Sequence, residues 1–503
     1  MLGGCGEYIA VSKSRIFDLF AYARAFGSNQ PSGAQDDFER RLREAMRQHR
    51  AELRKGAYLG RGSVAERLAT RRFAKRHSRK LLNSMRRKPR PQLDVPLMLS
   101  RFRSTAVMDA LVPDRRRRWV SILRRPVRST PAQLSLENFS FIENPVETLQ
   151  AVKRIIETES VEIDAKLHFK DKYVTDIGPY LVLGEIWPHM APVYSGGQMA
   201  AAIQKVIRAV GLQKSLRMHL GGGADSKDVW AIPMQRRRPA RTSASQRQHL
   251  EPQKRERVAD AVCDAIDGWL GQEEICLKLT KVGKGELSGI IGELLCNAER
   301  HSQVDSDDGD WSIAAFMAKR EEDGEKIFRC HLAFLSVGAS IAESLETAAP
   351  DVLDYMSRYT ARHRQGPQSE ATLRTVFALQ DTVTCDPNAR QNGRGGTGLQ
   401  DVLDWVTMLG QTADANFEPR VTIISGSSCI RLRHPYIKGE RQKDDRSPRV
   451  LWCNAENSPN RPPDPTVAFD LPERFAGTII SVAFTLDADY LNRTINDAGT
   501  GNA

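Results

Sequence analysis

The apolar positions of this chain follow two periods, and the switches between them predict its elements. At helical spacing, Leu149, Val152, Ile155 and Ile156 follow Asn144 and Pro145, an N-cap and a first-turn proline. Val258, Ala261, Val262, Ala265, Ile266, Trp269 and Leu270 form a second helical stripe that stops near Gly271. Further helices are expected over 284–301 and 400–409. Period-two alternation marks strands at 161–167, 311–319 and 327–335, the last two joined by the charged turn Glu322-Asp323-Gly324 and so read as a hairpin. Residues 139–142, 193–194, 421–425, 429–432 and the apolar run after Gly477-Thr478 are also strand-like. No run approaches the roughly 18 apolar residues of a membrane span, so no membrane partner is expected.

At 503 residues the chain is too long for one core. Strands alternating with helices over 131–222 imply a small α/β domain. Residues 223–254, polar and interrupted by Arg236-Arg237-Arg238-Pro239, read as a linker, and 255–490 as a second domain with a flexible tail at 491–503. Residues 1–130 read as a basic, largely helical N-terminal region.

Charge sharpens that division. Residues 36–128 hold 28 Lys/Arg against 9 Asp/Glu, a local excess of 19 that exceeds the +12 of the whole chain. The basicity therefore belongs to one region. Clustered arginines such as Arg71-Arg72 and Arg115-Arg116-Arg117-Arg118 suit a nucleic acid or another polyanion, held through phosphates without sequence recognition. The same run also fits a solvated arm, or a translated leader upstream of the true start. The eight cysteines are scattered with no CxxC pair, which reads as reduced thiols of a cytoplasmic protein rather than a disulfide framework or zinc site. The start MLGGC lacks the basic and apolar segments of a lipoprotein leader.

The candidate chemistry sits in the helix expected over 284–301. Glu293 and Asn297 are four residues apart and share a helical face, a carboxylate able to take a proton from water and an amide able to hold magnesium. Spacing alone favours a plain wet helix face. Downstream, Ser336-Val337-Gly338-Ala339-Ser340 ends the second hairpin strand. Gly393-Arg394-Gly395-Gly396-Thr397-Gly398-Leu399 runs directly into a helix, where close backbone approach and free N–H groups favour phosphate.

The order helix with E-x-x-x-N, hairpin, glycine turn, glycine-rich turn into a helix, and closing strands resembles the GHKL superfamily of ATP-binding domains, shared by gyrase, the large heat-shock chaperones, MutL and sensor histidine kinases. The resemblance covers about 255–490. Glu293 and Asn297 match the N-box, Gly338 the first glycine box, and Gly396-Thr397-Gly398-Leu399 the second. It implies an α+β fold, a two-layer GHKL (Bergerat-type) sandwich, preceded here by the α/β domain and the basic arm. The 131–222 order is similar to STAS-like domains that accompany bacterial regulatory ATP-binding proteins. The resemblance further implies ATP and Mg2+ at Asn297, Glu293 as general base, and Gly393, Arg394, Gly395, Gly396, Thr397, Gly398 and Leu399 closing over the phosphates. Arg390 and Arg394 are equally phosphate contacts or solvated.

One position departs from the pattern. The first glycine box has the form D-x-G-x-G, its aspartate reading adenine; here that place holds Ser336, and the later glycine is Ser340. A serine hydroxyl accepts a hydrogen bond but is short and uncharged. No histidine lies in the 255–270 helix, which disfavours histidine autokinase activity, and His301 suits a helix C-terminus. The expected protein is an ATP-binding regulatory ATPase acting on a protein partner or a homodimer. A non-hydrolysing nucleotide sensor and an anti-sigma-type serine kinase acting on a STAS partner are the alternatives.

Overall fold

The computed structural model describes residues 104–121, 131–162, 165–191, 193–216, 220, 227–237, 254–302, 309–322, 325–381, 383, 398–412, 414–441, 447–487 and 489–491. In chain order the first lobe holds α1 (Ala106–Leu111), α2 (Arg115–Ser121), β1 (Ala132–Leu136), α3 (Pro145–Val161), β2 (Ala165–Phe169), α4 (Gly178–Met190), β3 (Tyr194–Gln198), α5 (Ala201–Ala209) and α6 (Leu212–Ser215). The second begins with β4 (Val229–Arg237), α7 (Arg255–Leu270), α8 (Lys281–His301), β5 (Asp310–Glu322) and β6 (Glu325–Val337). It continues through α9 (Ile341–Ser344), α10 (Pro350–His363), α11 (Glu370–Phe377) and α12 (Gly398–Leu409). The closing strands are β7 (Arg420–Ser425), β8 (Ser428–Leu432), β9 (Glu440–Arg441), β10 (Arg449–Val450), β11 (Ala468–Asp470) and β12 (Thr478–Leu486). The chain is thus a mixed α+β protein whose large sheet is antiparallel.

In the first lobe β1, β2 and β3 pair in parallel in that order, joined by crossover helices α3 and α4 as parallel pairing requires. The α3 stripe holds as expected: Leu149, Val152, Ile155 and Ile156 are fully buried. Three boundaries differ from the sequence pattern. Residues 139–142 are not a strand: Asn138 takes a left-handed φ of 51° just after β1, and Phe141 and Ile142 lie in a turn. Helix α3 runs through Val161, so the strand expected from 161 starts at Ala165. The lobe also begins before residue 131, since Val107, Met108, Leu111 and Val112 lie in its core.

The second lobe is built on seven strands in the order β11-β8-β7-β12-β6-β5-β4. Thirteen residues of β5 face thirteen of β6, from Asp310 opposite Val337 to Glu322 opposite Glu325, so the expected hairpin is present and longer than its apolar stretch. The 229–237 part of the expected linker is instead the edge strand β4. Its register with β5 shifts between Ile232 and Gln235, around Pro233, which cannot donate to a ladder and is tolerated at an edge or bulge.

The side-chain period of two sorts each strand between two cores. On β5, Trp311, Ile313, Ala315 and Met317 join α7, α8 and α12 on one face, while Ala314, Phe316 and Ala318 join the first lobe on the other. The sheet is therefore a shared middle layer, and the first lobe covers its back. This explains why β12 reads as nearly continuous apolar sequence: all but one of its nine residues are buried.

Polar groups stitch that back face. Asp176 accepts hydrogen bonds from the N–H groups of Phe141 and Gly178, each at 2.8 Å. Arg236 donates to Ser312 Oγ at 2.7 Å and lies 3.5 Å from Glu185. Gly178 has no room for a Cβ, which would stand 2.2 Å from Ser481 Oγ of β12. His331 of β6 stacks on Phe316 with ring centroids 4.8 Å apart; burial, then Arg320 and Arg329, hold its imidazole well below its ordinary value, hence neutral.

The arginine run 115–118 is partly structural. Arg115 is buried and donates to Glu159 from Nε at 3.1 Å and Nη2 at 3.0 Å, and Arg118 pairs with Asp114 and Glu157. Of the four, Arg116 and Arg117 are exposed. The rest of the basic region, 36–103 and 122–128, lies outside the described residues. No helix among the described residues is long and apolar enough to cross a membrane. The described cysteines, Cys263, Cys276, Cys296, Cys330, Cys429 and Cys453, are free thiols.

Candidate functional site

Helix α8 carries both Glu293 and Asn297. Thr280 caps it, its hydroxyl accepting from the Gly283 N–H at 3.0 Å. Leu287, Ile291, Leu294, Leu295 and Ala298 face the sheet and are buried. That leaves Glu293 half-buried and Asn297 exposed, one turn apart. Further along, Glu299 ties α8 to the sheet by accepting from the Trp311 indole N–H at 3.0 Å, and Arg255 and Arg237 lie 3.2 and 3.6 Å from its carboxylate.

Both glycine elements reach this helix. Gly398, the first residue of α12, lies against Glu293: a Cβ there would stand 2.7 Å from Glu293 Cδ and 2.8 Å from its Oε1. Gly338 (φ +144°) docks at the other end. A Cβ on it would meet Ser302 O at 1.8 Å, and the neighbouring Ala339 N–H donates to that same oxygen at 2.8 Å. Between Glu293 and Ser302 the helix rises about 13 Å. Asn297 thus lies on α8 between the two glycine contacts.

Electrostatics single out Glu293. Burial, and then the like charge of Asp401, push its carboxyl above the ordinary range, while the Gly398 N–H works against that rise.

Ser336 is 5% exposed and belongs to a row across the helix-side face of the sheet, where it is registered with Trp311 on β5 and Thr478 on β12. Thr478 is in turn opposite Ser425, their hydroxyls 2.8 Å apart, and Ser425 Oγ accepts from the Ile341 N–H at 2.7 Å. The second departure from the glycine-box pattern has a local cause. Ser340 caps α9 in a capping box with Glu343, its hydroxyl accepting from the Glu343 N–H while the Glu343 carboxylate accepts from the Ser340 N–H at 2.8 Å.

The structure therefore brings Glu293, Asn297, Gly338 and Gly398 to one helix, places Ser336 on the sheet face beneath, and leaves Leu399 half-buried in the first turn of α12. Arg390, Gly393, Arg394, Gly395, Gly396 and Thr397 lie outside the described residues, as does the His301 side chain. Among the described residues no group of three or more His, Cys, Asp or Glu could hold a metal ion. A cavity of about 290 Å³ opens along the C-terminal half of α12, beside Asp404, Thr407, Met408, Lys438 and Arg441; none of the predicted site residues lines it.

Two residues outside the sequence prediction join the cluster. Asp401 stands one turn from Gly398, and Arg449 of β10 holds it at 2.6 Å. The i, i+3 spacing of Gly398 and Asp401 was a usable signal; nothing in the sequence around Arg449 was. No protein-family model matches the chain, and comparison with curated proteins and with solved structures finds no match.

Proposed function

We propose that the chain is an ATP-binding regulatory protein with a GHKL-type domain at 255–490, a slow Mg2+-dependent ATPase whose nucleotide cycle controls a protein partner or a dimer. The observation that carries this reading is the seat of Glu293 at the N-terminus of α12. The N-terminus of a twelve-residue helix is a seat for an anionic group, and only a glycine at 398 leaves room for the Glu293 carboxyl packed against it. Asn297, exposed one turn along, is the residue that would hold magnesium. A lone amide suits this ion, which keeps waters and substrate phosphates as its remaining ligands, and when bound it supplies neutralising charge at those phosphates. The role of Glu293 is to take the proton of an attacking water.

The α/β lobe is read as STAS-like from its three parallel strands and crossover helices. It covers the sheet face opposite α8, which argues against phosphate transfer from the Glu293 site onto the lobe of the same chain. The basic segment 36–128 is proposed as the contact for nucleic acid or another polyanion. A second reading, a nucleotide sensor without turnover, is favoured by one observation: Ser336 occupies the position from which the family's aspartate reads adenine.

Phosphate release by the full-length protein and by Glu293→Gln separates the readings. The ATPase reading expects turnover in the wild type and a loss of about 100-fold or more in Glu293→Gln with nucleotide binding retained. Binding without turnover in either protein leaves only the sensor.

A further inference from the structure

The start of α12 is held more firmly than a helix end needs to be, and through one cation. Arg449 is 6% exposed, and its guanidinium takes Asp381 through Nε at 2.9 Å and Nη2 at 3.2 Å, Asp401 through Nη2 at 2.6 Å, and Asp404 through Nη1 at 2.5 Å. Its backbone also exchanges hydrogen bonds with Asp381, donating to Oδ2 at 2.8 Å and accepting from the Asp381 N–H at 3.1 Å. Beside it Gln400, fully buried, donates to Leu379 O at 2.6 Å and accepts from the Gly439 N–H at 2.9 Å.

Structural need accounts for only part of this. Asp381 alone is bidentate on the guanidinium and neutralises it, so Asp401 and Asp404 add two negative charges that the ion pair does not require. Their places on the helix differ. Three residues from Gly398, Asp401 lies on nearly the same face; six residues on, Asp404 has turned away toward the cavity along the C-terminal half of the helix. We propose that Asp401, fixed by Arg449, is a positioning residue for Glu293: it places negative charge one helical turn from Gly398, against which the Glu293 carboxyl is packed. That charge keeps the carboxylate a ready proton acceptor while the close fit at Gly398 fixes where it sits. The inference rests on the hydrolytic reading of Glu293.

Steady-state hydrolysis by the full-length wild type, Glu293→Gln, Asp401→Asn and Asp404→Asn tests it. Asparagine keeps an acceptor oxygen for Arg449, so both substitutions spare the clamp's shape and remove one charge each. Asp401→Asn is expected to lower kcat about 10-fold with KM for ATP changed less than about 2-fold, whereas Asp404→Asn stays within about 2-fold of wild type on both. Equal effects from the two substitutions, or none from Asp401→Asn while Glu293→Gln abolishes turnover, overturn the positioning role and leave the ATPase reading standing. Absence of turnover in the wild type rejects the ATPase reading and this inference with it.

Discussion

On the back face of the sheet Asp176, Arg236 and Glu185 are buried among polar partners, whereas on the helix face Glu293 is half-buried beside a like charge and Asn297 is exposed. The Asp176 carboxylate has two backbone N–H donors, and Arg236 donates to Ser312 and lies 3.5 Å from Glu185. Charges buried in this way hold two lobes together. Glu293 is seated against the Gly398 backbone with Asp401 as a like-charged neighbour. The contrast teaches that burial and a raised carboxyl do not by themselves mark a site, since Asp176 has both; a half-buried carboxylate beside a like charge and an exposed amide on one helix face does.

The sharpest way to break the helix face is at its tightest contact. Gly338→Ala combines a positive φ with a Cβ that would overlap the backbone oxygen of Ser302, so a loss of about 4 kcal/mol, seen in urea unfolding, is expected. A change under about 1 kcal/mol would mean the glycine turn is not seated on α8.

The back face is tested by pH. Burial pushes the Asp176 carboxyl up to about 6 from 3.8, against the pull of the Gly178 and Phe141 N–H groups. The folded protein thus binds this proton more tightly than the unfolded chain, and its stability contribution is fully present below about pH 4 and lost as pH rises through 6. Between those limits the stability difference, wild type minus Asp176→Asn, should fall by up to roughly 3 kcal/mol. A difference independent of pH would show that the carboxylate is fully compensated after all.

How much of this comparison was legible in the sequence depends on range. Helix α7, the hairpin and β12 could be read because hydrophobic periodicity is local; the 255–270 stripe became the helix Arg255–Leu270. The Glu293 and Asn297 face was equally visible, being one helical turn. Strand β4 was hidden because an edge strand with an internal proline and the polar end Gln235-Arg236-Arg237 looks like a linker. That the first lobe would cover the back of the sheet was not visible either, although the largely apolar run of β12 implies burial on both faces. Arg115 finds Glu159 44 residues away and Arg449 finds Asp381 68 residues away, and no spacing rule reaches so far. Ser340 was read as a lost glycine when S-x-x-E marked a capping box.

The smallest expected effect has the opposite sign. Gly289 lies exposed inside α8 with open space where a Cβ would go, so Gly289→Ala should stabilise the protein by about 0.5–1 kcal/mol, read as a raised unfolding midpoint. Destabilisation instead would place an unrecognised close contact on that face of the helix.

The central claim is that α8 and the start of α12 form a magnesium-nucleotide site. Calorimetric titration of the full-length protein with ATP and Mg2+, repeated on Asn297→Ala, tests it most directly. The account predicts saturable binding by the wild type that weakens about 10-fold or more in Asn297→Ala. Wild-type protein that binds neither ATP, ADP nor GTP, or an affinity untouched by the loss of Asn297, would contradict it.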